Sequence, residues 1–413
     1  MKKVKYLLVG GGLASCEAIK GIRRHDREGG IAMVEQEIRL PYNRPPLSKA
    51  FLKGEKEEHD CFCAPSSFYR EHKVELLLGR RAVMLDAAEQ KVILDRGGEV
   101  SFDRALLATG GRPIQPPLPG LDLRDIYFLR TLDQAAAIRA AAKPSRQAVV
   151  IGAGFIGLEI SASLNSLGVD VTVLELANRI WPRVADPETA ELVKDYYQKR
   201  GVDILTGEKV VRFEGENRQV GQVVLESGRQ LPCDFVVCAV GIELNTELAE
   251  QAGLTLDNGV VVDAGMLSSH PSIYAAGDIA NYPDPYFDKR RRVEHWGQAE
   301  YTGGLAGENM AGANREYDLL TYFWSEGFDL HYEFAGEEGV YDQTLKRGRF
   351  PEDDFAALFL AEQRLRGFLS VNPEKKTQSA LEELITSRVD LKGREQALAQ
   401  PGSDLGKLIR DNN

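Results

Sequence analysis

The chain lacks any apolar run approaching the ~18 residues that would cross a membrane, so no span is expected. It is poor in cysteine: Cys16, Cys61, Cys63, Cys233 and Cys238 are the only five in 413 residues. None forms a CxxC, and a disulfide framework is not expected at this length. Cys233 and Cys238 have CxxxxC spacing, but they fall in a run that reads as strand. Five strand residues span about 17 Å and turn the two thiols to opposite faces, so these two should not pair. Cys61-Phe-Cys63 reads as two ordinary thiols in a loop. No metal or Fe–S ligand set is present. Positive charge is in deficit, 51 Lys and Arg against 62 Asp and Glu, for a net charge of −11. That argues against nucleic acid as a partner. No short-period repeat and no long low-complexity tract occur. No signal peptide is read before the first strand, since Met1-Lys2-Lys3 leads directly into it. The cytoplasm is the expected compartment.

What is present is ordinary in bulk, 43 % hydrophobic and 27 % charged, and long enough for two or three domains. Local order begins at once. Tyr6 to Val9 is a short apolar run, followed by Gly10-Gly11-Gly12, a helical pattern from about Leu13 to Arg24, and a second apolar run ending on Glu35. This is a dinucleotide-binding fingerprint. Gly10 allows the tight turn and Gly12 lets a pyrophosphate approach the backbone. The helix N-terminus supplies free N–H groups and a positive dipole end. An acid about 20 residues on accepts from a ribose. Ser15 departs from the usual third Gly or Ala, yet is small enough for close helix–strand packing.

The pattern recurs. Ala148 to Ile151 reads as strand, Gly152-Ala153-Gly154-Phe155-Ile156-Gly157 has all three glycines, and Val171 to Leu174 leads to Glu175. One such pattern also fits a purely structural strand–turn–helix; two with acids at the right offset argue against accident. A carboxylate at 175 binds a free 2′-hydroxyl and repels a 2′-phosphate, which favours NADH over NADPH, with Arg179 as the nearby opposing charge.

Other stretches order the rest. Residues 50–72 look like a loop and a short helix, and 74–111 like strands ending in Thr109-Gly110-Gly111. Pro113, Pro116, Pro117 and Pro119 mark a boundary. An Ala-rich helix over 128–142 is entered through Thr131 and Asp133. Residues 186–200 form an amphipathic helix capped by Asp186 with Pro187 at its first position. Strands and hairpins fill 202–240, and a short strand, Ile273 to Ala276, ends in Gly277-Asp278. Asp278 can serve a polyol or cap a following helix. Residues 319–413 alternate like strands and end in a helix with Ala380, Leu381, Leu384, Ile385 and Val389 on one face.

PYNRPPLSK (41–49), GAGFIGLE, AAGDIA and VEHWGQA together resemble a family of flavoprotein reductases. It includes the oxygenase-coupled ferredoxin reductases of putidaredoxin and biphenyl-dioxygenase type, rubredoxin reductases and apoptosis-inducing factor. The resemblance implies an α/β fold of two Rossmann-like dinucleotide-binding domains, glutathione-reductase-like, plus a C-terminal α+β domain. It places an FAD domain at 1–112 and 242–318, an NAD domain at 113–241 and the third domain at 319–413. It implies cofactor-binding roles for Gly10, Gly12, Leu13, Ala14, Glu35, Arg44, Lys49, Ala82, Thr109, Gly110, Arg130, Gly277 and Asp278. Gly152, Gly154, Phe155, Ile156, Gly157, Glu175 and Gly241 follow from the second loop and the return strand, and Glu294, His295, Trp296 and Trp324 lie toward the flavin ring. Trp296 can stack on flavin or nicotinamide, or be a core tryptophan. The likeness to apoptosis-inducing factor is strongest at 292–295 and 305–310, though its long acidic Ser/Pro-rich insertion is missing.

The resemblance implies FAD and NADH as cofactors, with Lys49, Glu159, Phe155 and Trp296 as the catalytic set. Lys49, on a loop stiffened by Pro41, Pro45 and Pro46, is expected to pair with Glu159 beside flavin N5. The plain alternative for Glu159 is an exposed helix acid. Phe155, one turn before it, would be an aromatic gate for nicotinamide. With no metal in the chain, electrons leave it, and a small iron–sulfur protein, ferredoxin or rubredoxin, is the expected acceptor. Lys289-Arg290-Arg291-Arg292 is either a docking face for that partner or a solvated loop. A small acceptor (quinone, oxygen, monodehydroascorbate) and an NADH-sensing redox protein are the other readings. A homodimer is left open.

Overall fold

A computed structural model describes residues 2–352 and 354–410. The chain divides into two compact units, one of Met1–Arg44, Glu58–Arg112 and Ile242–Leu319, the other of Pro45–Glu57, Pro113–Gly241 and Leu320–Asn413.

The first unit is built on a seven-stranded sheet. Lys2–Val9 lies between Ile31–Glu35 and Glu99–Leu107, parallel to both, and Val74–Leu78 extends the sheet beyond Ile31–Glu35. Tyr6 pairs with Ile31 and Val9 with Val34, so both strands end together at the glycine turn. Apolar side chains on both faces read as continuous runs because helices cover a parallel sheet. The first loop's helix, Leu13–His25, lies against a second helix, Trp296–Met310. The sequence reading gave no helix over 296–310. It contains Gly297, Gly303, Gly304 and Gly307, and glycine inside a helix costs roughly 0.5–1 kcal/mol each. Packing explains them. A Cβ on Gly303 or Gly307 would stand 2.2 Å from the carbonyl oxygen of Ala14 or Ala18, and one on Gly21 2.4 Å from that of Gly304. Only glycine lets these two helices touch backbone to backbone.

The second unit holds a five-stranded parallel sheet in the order Val202–Thr206, Asp170–Glu175, Gln147–Ile151, Phe235–Cys238, Ile126–Phe128. It also holds a five-stranded antiparallel sheet, Tyr322–Gly327, Leu330–Gly336, Arg364–Val371, Phe355–Ala361, Gln343–Arg347. One apolar cluster joins Val150 and Val173 to Tyr332, Phe359 and Leu369, so both sheets share a core within this unit. The helix Leu132–Ala142 begins with a Thr131–Gln134 capping box, and Pro187–Gln198 with the Asp186 cap and Pro187. In Lys375–Thr386 and the turn after it, Leu381, Leu384, Ile385 and Val389 are buried.

Two local expectations change. Residues 233–238 are not one strand: Cys233 sits in the link between Gln230–Pro232 and Phe235–Cys238. Both thiols enter the same apolar cluster rather than opposite faces, and both are free. Gly277–Ile279 is a single 3-10 turn leading into the strand Ala280–Pro283, so Asp278 caps no following helix. Among the described residues no helix is long and apolar enough to cross a membrane.

Candidate functional site

In the first unit, Gly10 has φ +106° and a Cβ there would sit 2.3 Å from the Ala108 carbonyl oxygen. The glycine therefore lets the turn at 108–110 close on the loop. Thr109 is fixed by donating to the Asn245 carbonyl at 2.6 Å while Asn245 Nδ2 donates back at 2.9 Å; Gly110 follows at φ +59°. Gly12 meets open space: a Cβ there would touch nothing within 4 Å. It caps the Leu13–His25 helix with no side-chain acceptor, whereas Thr131, Asp186 and His295 do cap their helices. A helix N-terminus with unclaimed N–H groups and bare backbone before it suits a pyrophosphate. Glu35 accepts from the Gly11 and Glu37 amides, and burial pushes its carboxyl up. Gly277 reaches the start of the same helix: a Cβ on it would be 3.4 Å from Ala14 Cβ, and its N–H donates to Thr302 at 2.9 Å.

Trp296 Nε1 donates to Asn43 Oδ1 at 2.8 Å, tying the VEHW segment to the PYNR loop. His295 caps the following helix by accepting from the Gly297 amide at 3.2 Å. Arg44 lies 5.6 Å from the Tyr42 ring centre. Ala82 begins the edge strand Ala82–Asp86, three strands away from Lys2–Val9 in the sheet, and two residues before it the Arg80 amide donates to the Glu35 carbonyl at 2.9 Å. The basic run is largely engaged within the unit. Arg291 is 8 % exposed and pairs with Asp284 at 3.3 Å. Arg290 donates to the Val262 and Asn281 carbonyls, and Arg292 binds Glu294 at 2.7 Å and the Asp278 carbonyl at 3.2 Å. Lys289 and Arg290 are exposed, while the guanidinium groups of Arg290, Arg291 and Arg292 brace the 278–294 segment.

In the second unit the loop repeats with closer packing. Gly152 has φ +100° with a Cβ position 2.4 Å from the Ala239 carbonyl oxygen, Gly154 meets open space, and a Cβ on Gly157 would stand 1.9 Å from the Gly152 carbonyl oxygen. Glu175 accepts from the Ala153 and Ala177 amides, each at 2.8 Å. Gly154 caps Phe155–Ser166 without a side-chain acceptor, and Ile156 is 48 % exposed at its first turn. Gly241, at φ +102°, accepts from the Ile114 amide at 3.0 Å. Arg130 immediately precedes the Thr131 capping box.

The helix after this loop carries the charged centre. Lys49 Nζ lies 3.0 Å from Glu159 Oε1, with the two side chains 15 % and 4 % exposed. Ser325 donates to Glu159 at 2.7 Å, Ser48 donates to its other oxygen, and Ser163 holds Ser48 through the Ser48 carbonyl at 2.7 Å. A buried carboxylate needs this: an opposite charge and hydrogen bonds on its remaining lone pairs. The Lys49 ammonium also sits 4.9 Å from the centre of the Trp324 ring, a cation–π distance. Trp324 stacks on His331, centres 6.1 Å apart at 22°. His331 lies 3.6 Å from Glu326 and 2.7 Å from Glu333, which together raise its imidazole to about 9. Phe155 stacks on Trp181, centres 4.5 Å apart at 29°, and meets Phe323 edge-on at 5.1 Å.

Sequence reasoning missed Asn43, Ser48, Trp181, Ser325 and His331 in these contacts. Ser48 lies in the PYNRPPLSK loop and Ser325 beside Trp324, but only the fold brings both hydroxyls to Glu159 and His331 to Trp324. Among the described residues no group of three or more His, Cys, Asp or Glu is placed to hold a metal ion.

Residues 4–303 match the pyridine nucleotide-disulphide oxidoreductase family and 322–409 the reductase C-terminal family. Over 391 residues, 93 % of this chain and 92 % of its relative, the sequence is 33 % identical to putidaredoxin reductase of Pseudomonas putida. It is 32 % identical to rubredoxin-NAD(+) reductase of Pseudomonas putida over 375 residues, 91 % of this chain and 97 % of that one. The fold overlays the crystal structure of the covalent putidaredoxin reductase–putidaredoxin complex with TM-score 0.94 at 30 % identity, covering 100 % of this chain and 99 % of that one. Two glycine loops with open second glycines, a buried lysine–carboxylate pair, and likeness along nearly the whole chain place this protein in the pyridine nucleotide-disulphide oxidoreductase family.

Proposed function

We propose that this chain is an FAD-dependent NADH oxidoreductase that passes electrons singly to a small iron–sulfur protein, a ferredoxin or a rubredoxin. The observation that carries the reading is the buried Lys49–Glu159 pair beneath Trp324, in a chain whose relatives are putidaredoxin and rubredoxin reductases. Bound FAD supplies hydride acceptance from NADH and one-electron release. The residues of the chain do the rest. The first loop offers a helix N-terminus, bare backbone at Gly12 and a ribose acceptor at Glu35. The second offers the same at Gly154 and Glu175, and the Glu175 carboxylate disfavours a 2′-phosphate. Glu159 fixes the Lys49 ammonium, a positive charge preorganised for negative charge that develops during reduction. Phe155, held by Trp181 and Phe323, presents an aromatic face for nicotinamide to stack against. Trp296, steadied by Asn43, does the same on the first unit.

The test supplies NADH to the FAD-loaded protein anaerobically with an oxidised [2Fe–2S] ferredoxin or a rubredoxin, and follows bleaching of the iron–sulfur absorbance. Catalytic bleaching with NADH, and at least about tenfold less with NADPH, is the expected result. Rapid turnover with a quinone or oxygen and none with either carrier would replace this reading with the small-acceptor one.

A further inference from the structure

Four side chains of the second unit share one face of its edge hairpin. Tyr322–Gly327 pairs with Leu330–Gly336 so that Trp324 lies opposite Glu333 and Glu326 opposite His331. Directly opposed residues point to the same face, as do residues two apart along a strand. His331 is therefore diagonal to Trp324, and the two rings lie nearly parallel, at 22° with centres 6.1 Å apart.

His331 is held at both ends. Its Nε2 is 2.7 Å from Glu333 Oε1 and its Nδ1 3.6 Å from Glu326 Oε1. Its amide donates to Asn372 Oδ1, and its carbonyl accepts from the Asn372 amide, both at 2.8 Å. The other oxygen of Glu333 is buried and has no hydrogen-bond partner among the described residues. The His331 imidazolium is thus the counter-charge of a carboxylate side chain only 19 % exposed, which a charged group so placed requires. On the other side of this chain of contacts, the Trp324 ring centre is 4.9 Å from the Lys49 ammonium that pairs with Glu159. The function proposed above uses Lys49, Glu159 and Trp324 and gives His331 no part.

We propose that His331 is a positioning residue for the Lys49 ammonium: clamped between Glu326 and Glu333, its ring sets the Trp324 indole, and the indole face confines the ammonium that Glu159 holds. This rests on the oxidoreductase reading, in which that ammonium serves flavin reduction.

A cation is attracted to an indole face, so the clamp acts through the charge on His331. Glu326 and Glu333 raise the imidazole to about 9, against the opposing effect of burial. The charge is therefore complete in the neutral range and lost as pH rises through about 9. The other charged groups around the pair are few. His331 lowers the Glu326 carboxyl, with Lys49 and Lys53 adding to it, and Lys53 is itself paired with Glu55 at 2.9 Å. Glu382, on Lys375–Thr386, is pushed up by burial, with Glu333 adding. The strand Arg364–Val371 presents uncharged Ser370 opposite Glu333. Once His331 loses its proton, two carboxylates face a neutral ring, and the ring no longer holds the indole.

The experiment compares FAD-loaded wild type, Trp324→Phe, His331→Gln and His331→Arg across pH, reading tryptophan emission and, anaerobically, flavin reduction by NADH. A protonated imidazole quenches a neighbouring indole. Wild-type emission should therefore rise through about pH 9, and the step should vanish in Trp324→Phe and in His331→Gln. The reduction rate should fall about two- to tenfold over the same step and stay at the lower level, flat with pH, in His331→Gln. Arginine is planar, always charged and able to bind carboxylates and stack on an aromatic face. His331→Arg should restore the neutral rate and abolish the step, which a merely structural role would not do. No emission step in the wild type, or His331→Gln reduced at the wild-type rate with the wild-type pH profile, would overturn the proposal. The wild-type emission titration decides this even where a variant folds poorly. A wild type that shows the emission step but is not reduced by NADH at any pH would instead overturn the oxidoreductase reading, and with it the use made of the clamp.

Discussion

The two glycine loops align residue for residue from Gly10 on Gly152 to Glu17 on Glu159, and they part company in what covers the helix behind them. At the third fingerprint position the first has Ser15, fully buried, whose hydroxyl donates to the Gly10 carbonyl. The second has Gly157, with no room for a Cβ against the Gly152 carbonyl. The same carbonyl is a hydrogen-bond partner in one loop and a steric wall in the other. Two residues on, Glu17 pairs with Lys20 of its own helix at 2.6 Å, while Glu159 pairs with Lys49 from a separate segment at 3.0 Å and is 4 % exposed. The first loop's helix is sealed by glycines at Gly303 and Gly307. The second is sealed by serines and a lysine. One motif thus keeps its helix acid in a local pair with Lys20, and its copy, covered differently, holds a buried charge.

The largest expected effect comes from breaking that charge pair. Lys49→Ala leaves the Glu159 carboxylate buried without its cation, which costs about 3–5 kcal/mol and shows as an earlier midpoint in denaturant unfolding. An unfolding curve that overlays the wild type would remove the distinction between the two helices. Exchanging the third-position residues comes next. Gly157→Ser forces backbone apart and is expected to cost about 1–3 kcal/mol or more and to weaken NADH binding. Ser15→Gly loses one hydrogen bond and costs about 1 kcal/mol. Equal costs, measured by the same unfolding experiment, would mean the loops are packed alike.

Acid and alkali should separate the units with the smallest effects. Asp26, in the first unit, has its carboxyl held well below the usual range by Lys5, so its contribution is present above its ordinary value of 3.8 and lost as pH falls. His331, in the second, is raised by Glu326 and Glu333 from 6.5 to about 9, so its contribution is complete below about 6.5 and lost as pH rises through about 9. Its side chain is 37 % exposed, and solvent screening keeps the effect modest. Thermal unfolding of His331→Gln should fall below wild type at neutral pH and converge with it in alkali; Asp26→Asn should converge in acid.

Both loops, the acid after each and the Lys49–Glu159 encounter were legible in sequence, the loops because strand, turn and helix are contiguous there, the encounter through the family resemblance. The helix Trp296–Met310 was not, because its glycines argue against helix until Ala14 and Ala18 are seen against them. Trp181 on Phe155 is a meeting of separate segments and His331 reaches Trp324 across a hairpin, and no local pattern announces either. The internal partners of the basic run at 289–292 were hidden in the same way. Composition shows charge, but only the fold shows that Arg290, Arg291 and Arg292 already have acceptors.

The central claim is that the second loop's helix, through Glu159 and Lys49, sets the reduction of the flavin by NADH. Anaerobic rapid mixing of the FAD-loaded protein with stoichiometric NADH, watching the flavin absorbance, tests it directly. Wild type and Glu17→Gln should bleach faster than about 10 s⁻¹, and Lys49→Ala slower by about a hundredfold or more. Bleaching of Lys49→Ala at the wild-type rate would contradict the account.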